Sequence, residues 1–342
     1  MVTESELVNQ TDSAYTVFRL ATAYWASQAL YVAAKLGVAD VLSEGPKSHD
    51  EIASATGANS KSLARLTRAL VPLGVLDVDD HGRFRLTRIG ATLQSGMPGS
   101  MRSIILALGE EHYQAWGKLI DSVKCDKPAF DEVYRRPLFE YLGENSAAAR
   151  TFNEAMTDLT SQIALAAILA YDFSRGRVVA DIGGSHGALL DSILRSNPSI
   201  TGILFDSEQV IAGATSATVS RDIGDRRQCI GGDFFESVPE GADIYILKNV
   251  LHDWNDERAV RILKNCRRAM DTKAKLLVIE MVLPLTEDPA FGSLLDLNML
   301  VMSGGRERTK DEYCGLLEKS GFRLTQVIPT LAPVSILEAM PL

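Results

Sequence analysis

The chain has 342 residues, of which 46% are hydrophobic and 23% charged, and this suits a globular protein of one large or two ordinary domains. Its 44 acidic against 35 basic residues leave a formal charge of −9, which opposes a broad nucleic-acid footprint. Four scattered cysteines, Cys125, Cys229, Cys266 and Cys314, form no CxxC pair and offer neither a metal site nor a disulfide frame.

Met1-Val2-Thr3-Glu4-Ser5-Glu6 is acidic and lacks the basic-then-apolar order of a signal peptide. The most apolar run, Ile163 to Ala170, is eight residues and too short to cross a bilayer, so a cytoplasmic protein without membrane contact is expected. Helical spacing runs from Val17 to Leu36 and stops at Gly37. Ser48 and Glu51 form a capping box before a short helix that Gly57 ends, and Ser60 is the expected cap of the next. Val75–Val78 and Phe84–Thr87 alternate around an Asp/Gly turn as a β-hairpin. Helix, turn, helix, hairpin is the order of a winged helix. Eight Lys/Arg against seven Asp/Glu between Lys35 and Arg88 leave it nearly neutral, which favours packing or dimerisation over DNA reading.

Met97-Pro98-Gly99 reads as a linker, which bounds a first domain at 1–98. The pattern is then helical to Tyr171, with aromatic residues suited to a core or to the wall of a flat-substrate pocket, giving a bridge over 99–172. A third domain, 173–342, alternates strands and helices. Strands are predicted at Val178–Ile182, Ile203–Phe205, Gln228–Ile230, Ile244–Lys248 and Leu276–Glu280, with a closing pair at Leu324–Ile328 and Ser335–Ala339. Such alternation is an α/β, doubly wound, Rossmann-like fold whose ligands lie past the strand C-termini.

The residues at those ends carry the functional reading. Asp181-Ile182-Gly183-Gly184-Ser185-His186-Gly187 joins a strand to a helix through glycines that let backbone approach a ligand, although packing alone can also require such a turn. Asp206, nineteen positions after Gly187, can accept ribose hydroxyls, and Asp233 with Phe234 offers an acid and an apolar face to a purine. The loop lacks Gly-x-Gly-x-x-Gly, and no phosphate loop occurs elsewhere, so a cofactor without phosphates such as S-adenosylmethionine (SAM) fits better than NAD. His252 follows the fourth strand and can act as a general base. Glu280 ends the fifth strand on the same rim, and Glu307 precedes a helix. Carboxylates beside the histidine would fix its tautomer and stabilise the imidazolium. Surface salt bridging, with Glu307 between Arg306 and Arg308, is the competing reading.

Together, Asp181–Gly187, Leu204-Phe205-Asp206, Gly231-Gly232-Asp233-Phe234-Phe235, Leu247-Lys248 through His252-Asp253-Trp254 and Gly305-Arg306-Glu307-Arg308-Thr309 resemble the class I SAM-dependent O-methyltransferases of the caffeic-acid and hydroxyindole type, bacterial natural-product branch. The resemblance spans essentially the whole chain. It implies a homodimer through an N-terminal, mostly helical, winged-helix-like domain, with no nucleic-acid partner. It further implies SAM held by the glycine loop, with Asp206 on the ribose, Asp233 and Phe234 at the adenine and Lys248 nearby. His252 matches the general base, Asp253 stands beside it, and Glu280 and Glu307 flank it. Phe152, Met156, Asn298 and Met302 match positions lining the pocket of a small aromatic acceptor, and no metal is implied. The family loop usually reads Gly-Gly-Gly. Ser185 replaces the third glycine, and its Cβ disfavours positive φ.

The expected chemistry is transfer of the SAM methyl to an aromatic hydroxyl. A phenol of pKa about 10 and a free histidine of about 6.5 make the proton transfer uphill unless it is assisted. Two other readings stand beside it: a SAM enzyme of this fold doing pericyclic or hydroxylation chemistry without methyl transfer, and a winged-helix DNA-binding regulator.

Overall fold

The computed structural model describes residues 4–97, 99–216, 223–284 and 288–342, so Pro98 of the expected linker lies outside the described residues. Two units separate, Met1–Glu111 and His112–Leu342, and this boundary divides the segment read from sequence as a bridge over 99–172.

In the first unit, α1 (Glu4–Ala21) and α2 (Tyr24–Leu36) replace the single helix expected over Val17–Leu36. Thr22 Oγ1 donates to Phe18 O at 2.8 Å, and Trp25 N reaches Thr22 O at 2.9 Å, so the ladder steps to three-residue spacing there. After α3 (Val38–Leu42), the Ser48–Glu51 capping box opens α4 (His49–Thr56), and Gly57, at φ 69°, closes it. Helix α5 (Ser60–Leu70) is capped by Asn59, whose Oδ1 accepts from Ser62 N at 3.1 Å, and not by Ser60, whose hydroxyl turns to Asp50. Strands β1 (Leu76–Val78) and β2 (Phe84–Leu86) pair antiparallel, followed by α6 (Arg88–Ala91) and α7 (Arg102–Ala107). Ala33, Leu42, Ile52, Leu63, Leu70 and Leu76 form the core of this unit.

The second unit begins with α8 (Tyr113–Trp116), α9 (Leu119–Cys125), α10 (Ala129–Tyr134), α11 (Leu138–Glu144) and the long α12 (Ser146–Ala170). Strands β3 (Val178–Ile182), β4 (Thr201–Asp206), β5 (Arg227–Gly231), β6 (Ile244–Lys248) and β7 (Lys275–Glu280) follow. Between them run α13 (Ala188–Ser196), α14 (Glu208–Ser216) and α15 (Asp256–Ala269). A two-residue pair, β8 (Val282–Leu283) with β9 (Arg308–Thr309), flanks α16 (Pro289–Met302), and α17 (Lys310–Lys319) leads to β10 (Phe322–Pro329) and β11 (Ser335–Pro341). Neither the β8–β9 pair nor α16 was named by the sequence reading, because two-residue strands are below any periodic signal.

The seven strands run in the order β10-β11-β7-β6-β3-β4-β5, with β11 antiparallel to both neighbours and the rest parallel. Chain order reverses between β3 and β6, where a crevice opens at the strand C-termini. Successive residues point to opposite faces, and both faces are buried. Ala180, Tyr245, Leu247, Leu276 and Val278 pack with Ile262 and Cys266 of α15, while Val179, Ile244, Ile246, Leu277 and Ile279 pack with Leu190 and Ile193 of α13. Burying each such Leu or Ile contributes roughly 1.5–3 kcal/mol, and this fixes the strand ends that carry the site. Among the described residues, no helix is long and apolar enough to cross a membrane.

After β3 the chain turns through Gly183 (φ 72°), Ser185 (φ 53°) and Gly187 (φ 86°). Ser185 therefore takes the left-handed conformation that a third glycine would hold freely, and its Oγ is buried without a hydrogen-bond partner. The left-handed region costs a non-glycine residue about 1–2 kcal/mol, and glycine's greater freedom in the unfolded chain offsets about 0.5–1 of that. Ser185→Gly is accordingly expected to stabilise the protein by about 0.5–1 kcal/mol in chemical denaturation. Asn59→Ala should destabilise by about 1 kcal/mol, whereas Ser60→Ala should stay within about 0.5; equal costs would reverse the cap assignment.

Candidate functional site

Parallel register brings the ends of five strands to one rim: Asp181 lies opposite Leu204 and Ile246, Asp206 opposite Gly231, and Lys248 opposite Ile279. Asp181 is 1% exposed, and among the described residues neither carboxylate oxygen has a partner at hydrogen-bond geometry, although the nearby Leu190 N–H helps to hold its pKa down. Burial, with the Asp206 charge adding to it, pushes its pKa up to about 7, against the opposing pull of Lys248. Lys248 donates to Thr160 Oγ1 at 2.8 Å, and burial lowers its own pKa although Asp181, Asp253 and Glu280 oppose this. Asp206 accepts from Ser185 N at 2.8 Å and from Ser207 N at 2.7 Å, and burial raises its pKa.

The glycines of the loop let neighbouring side chains pack directly against its backbone. A Cβ on Gly184 would fall 2.6 Å from Leu204 Cδ1 and 2.7 Å from the Asp181 carboxylate, and one on Gly183 would fall 2.8 Å from Val250. The Phe234 ring comes to 3.6 Å from that same point. Asp233 is exposed, and its Oδ1 closes a turn onto Phe235 N at 2.8 Å. An orphaned buried acid, a second acid with lone pairs to spare, a bare glycine turn and an aromatic face are the donor set that a cationic nucleoside without phosphates requires. The residues fit SAM.

The second cluster is built on the turn after β6. His252 Nδ1 lies 2.8 Å from Glu307 Oε1, and Nε2 lies 3.8 Å from Asp253 Oδ1 with no hydrogen bond among the described residues. Burial pulls the imidazole pKa down, but the Asp253, Glu307 and Glu280 charges outweigh it and push it up to about 10. Burial raises Asp253 to about 6. Glu307 is 2% exposed, its backbone N–H donates to Asp296 at 2.8 Å, and its Oε2 is buried with no hydrogen-bond partner among the described residues. The competing surface pairing of Glu307 does not occur, since Arg306 pairs with Glu312 and Arg308 with Asp256.

Glu280, expected to flank the imidazole, instead accepts from backbone. Its Oε1 takes Val250 N at 3.0 Å, Leu251 N at 2.6 Å and His252 N at 3.4 Å, while Oε2 takes Tyr313 Oη at 2.5 Å. It acts on His252 by holding the chain that bears it. Gly305 permits the other side of the clamp, because a Cβ there would stand 1.9 Å from His252 O.

On α12, Phe152 and Met156 precede Thr160 by eight and four residues, so they share the face that meets Lys248. Phe152 packs edge-on to Phe139 at 6.4 Å, and Phe139 stacks at 5.4 Å on Trp254, which reaches Phe234 at 6.2 Å. Asn298 Oδ1 accepts from Trp116 Nε1 at 2.8 Å. Met302 corrects the expectation: it is 2% exposed among Ala129, Phe130 and Leu138, so it backs a wall rather than forming its surface. Sequence reasoning passed over Tyr313 and Thr160 and named Arg308 and Trp254 without giving either a role in the site. Only Thr160 left a legible signal, the four-residue spacing from Met156 and Phe152.

Two family models match, an O-methyltransferase domain over residues 116–323 and an O-methyltransferase dimerisation domain over 18–96. Phenazine O-methyltransferase PhzM of Lysobacter antibioticus is 44% identical over 341 residues, covering 100% of each chain. The crystal structure of LaPhzM superposes with a TM-score of 0.92 at 45% identity, covering 96% of this chain and 99% of that one. NcsB1, an O-methyltransferase from neocarzinostatin biosynthesis crystallised with SAM and a hydroxynaphthoic acid, superposes at 0.79 with 32% identity, covering 93% and 96%. The chain belongs to the O-methyltransferase family, has its sheet and its N-terminal helical dimerisation domain, and takes S-adenosylmethionine as cofactor.

Proposed function

We propose that the protein methylates a hydroxyl of a small aromatic metabolite, a hydroxyphenazine or similar fused-ring phenol, with His252 as general base. The observation that carries this reading is the buried His252–Glu307 pair at 2.8 Å, which ties up Nδ1 and leaves Nε2 for a substrate proton. Bound SAM supplies a methyl group on a sulfonium, whose positive charge also lowers the pKa of a nearby imidazole. Nε2 would take the hydroxyl proton as the oxygen takes the methyl carbon and the carbon–sulfur bond breaks, with neutral S-adenosylhomocysteine as the leaving group, and the Glu307 and Asp253 carboxylates would hold the resulting imidazolium. Those carboxylates stabilise the imidazolium once the proton has transferred, while the sulfonium charge opposes them and favours the neutral ring that accepts it. Asp206, Asp233 and Phe234 would take the nucleoside, with the Asp181 and Lys248 pair at the inner end of the crevice. Phe152, Met156 and Asn298 would line the acceptor side, with Phe139 and Trp254 extending the aromatic wall.

The phenazine and neocarzinostatin relatives are both methyltransferases, which supports methyl transfer over non-methylating chemistry or DNA-binding regulation. We read the N-terminal unit, with its winged-helix-like order, as the homodimer contact. Tyr15, Val17, Phe18, Leu20 and Trp25 on α1 and α2 are 57–72% exposed and offer a second copy an apolar face.

His252→Gln should lower turnover of a hydroxyphenazine by roughly 10²–10⁴-fold while calorimetric SAM affinity is retained. Undiminished turnover would remove His252 as the base. Glu307→Gln should lower the imidazole pKa by about 1–3 units. The acidic limb of the kcat/KM profile, which rises as the imidazolium loses its proton, should therefore move to lower pH.

A further inference from the structure

Arg308 is fully buried, and its guanidinium is spent on the turn that carries His252. Nη1 donates to Leu251 O at 2.9 Å and Nη2 to Trp254 O at 2.8 Å, while Nε and Nη2 reach Asp256 Oδ1 at 3.1 and 2.9 Å. Leu251 and Trp254 bracket His252 and Asp253. Arg308 is also the residue after Glu307, so a single peptide step separates the carboxylate on the imidazole from the group gripping the turn. Two residues earlier, Arg306 N donates to His252 O at 2.8 Å. Glu280 secures the N–H groups of the same turn from β7, and Arg308 secures its carbonyls from β9. A buried cation is tolerated only when its donors are used, and the planar fork of arginine holds two carbonyls and a carboxylate in fixed directions that a lysine ammonium does not impose.

We propose that Arg308 is a positioning residue for the methyl-transfer reaction: it locks the His252 turn to the Glu307 strand and so sets the imidazole–carboxylate geometry. This rests on the reading of His252 as the general base. Besides Glu307 before β9, charged groups from four segments bear on the pair: Asp253 on the turn itself, Glu280 at the end of β7, Asp296 of α16, which accepts from Glu307 N, and Lys248 at the end of β6, which acts on Asp253. Arg308 adds a positive charge. Its removal would raise the imidazole pKa through space, whereas release of the turn from Glu307 would lower it. The two effects have opposite signs.

Arg308→Lys separates them, because it keeps the charge and loses the fork. In an NMR titration of the His252 ring, assigned by comparison with His252→Gln, Arg308→Lys should lower the pKa by about one unit. SAM affinity by calorimetry should stay within about twofold, and the acidic limb of kcat/KM should follow the titration downwards. A titration superimposable on wild type would overturn the proposal, even if turnover fell. If His252→Gln proved fully active, the base assignment would fail on its own, and the Arg308→Lys titration would still decide whether Arg308 positions the ring. Should Arg308→Lys fail to fold, Asp256→Glu keeps the negative charge and displaces the exposed end of the same clasp. It should give a smaller pKa decrease, and an unchanged titration would overturn the proposal equally.

Discussion

The Glu280 carboxylate bound to the backbone N–H groups of Val250, Leu251 and His252 is the constraint on which the site depends. A parallel strand ends with its backbone groups unpaired, and the next residues are free to wander unless something accepts those hydrogens. Here the acceptor is a charged group from the neighbouring strand, fully buried and steadied by the Tyr313 hydroxyl. Hydrogen bonds to an ionised acceptor contribute about 1.5–3 kcal/mol, enough to hold Asn249 at a φ of 52° just before the turn. The strand end is thereby converted into a rigid platform, and His252 is delivered to Glu307 by backbone rather than by its own side chain.

The cofactor side works by the opposite means. There the chain is kept bare: Gly183 and Gly184 have no room for a Cβ beside Val250, Leu204 and Asp181. The buried Asp181 carboxylate, without a side-chain partner among the described residues, stands behind them. Such a group is costly in a folded chain and persists where a bound partner repays its desolvation. The two halves of the site meet through Lys248, which feels Asp181 on one side and Asp253 on the other, and through the row of rings from Phe152 to Phe234.

Much of this was legible in the chain. Val178–Ile182 and Ile244–Lys248 coincide with their strands because both faces are buried, so each reads as a continuous apolar run. The capping box at Ser48 stands where its spacing put it, since a cap is a contact over three residues. What escaped were contacts over tens of residues. Glu280 reaches back 28 to 30 positions and Arg308 reaches 52 to 57, and nothing in either neighbourhood marks the partner. Met302 was assigned to the acceptor wall by resemblance, but a methionine on an apolar helix face can point to core or cleft, and α16 packing turned it inward.

The sequence by itself determined the sheet, the order of its elements, the glycine turn and the identity of the acids and the histidine at the strand ends, because these follow from local periodicity and residue chemistry. Only the tertiary structure decided which acid touches the imidazole. Glu280 and Glu307 are equally plausible on paper, yet the β7 register turns one onto backbone amides and β9 brings the other to Nδ1 at 2.8 Å. The same holds for Ser185, whose left-handed backbone is imposed by the turn between β3 and α13 against its own preference.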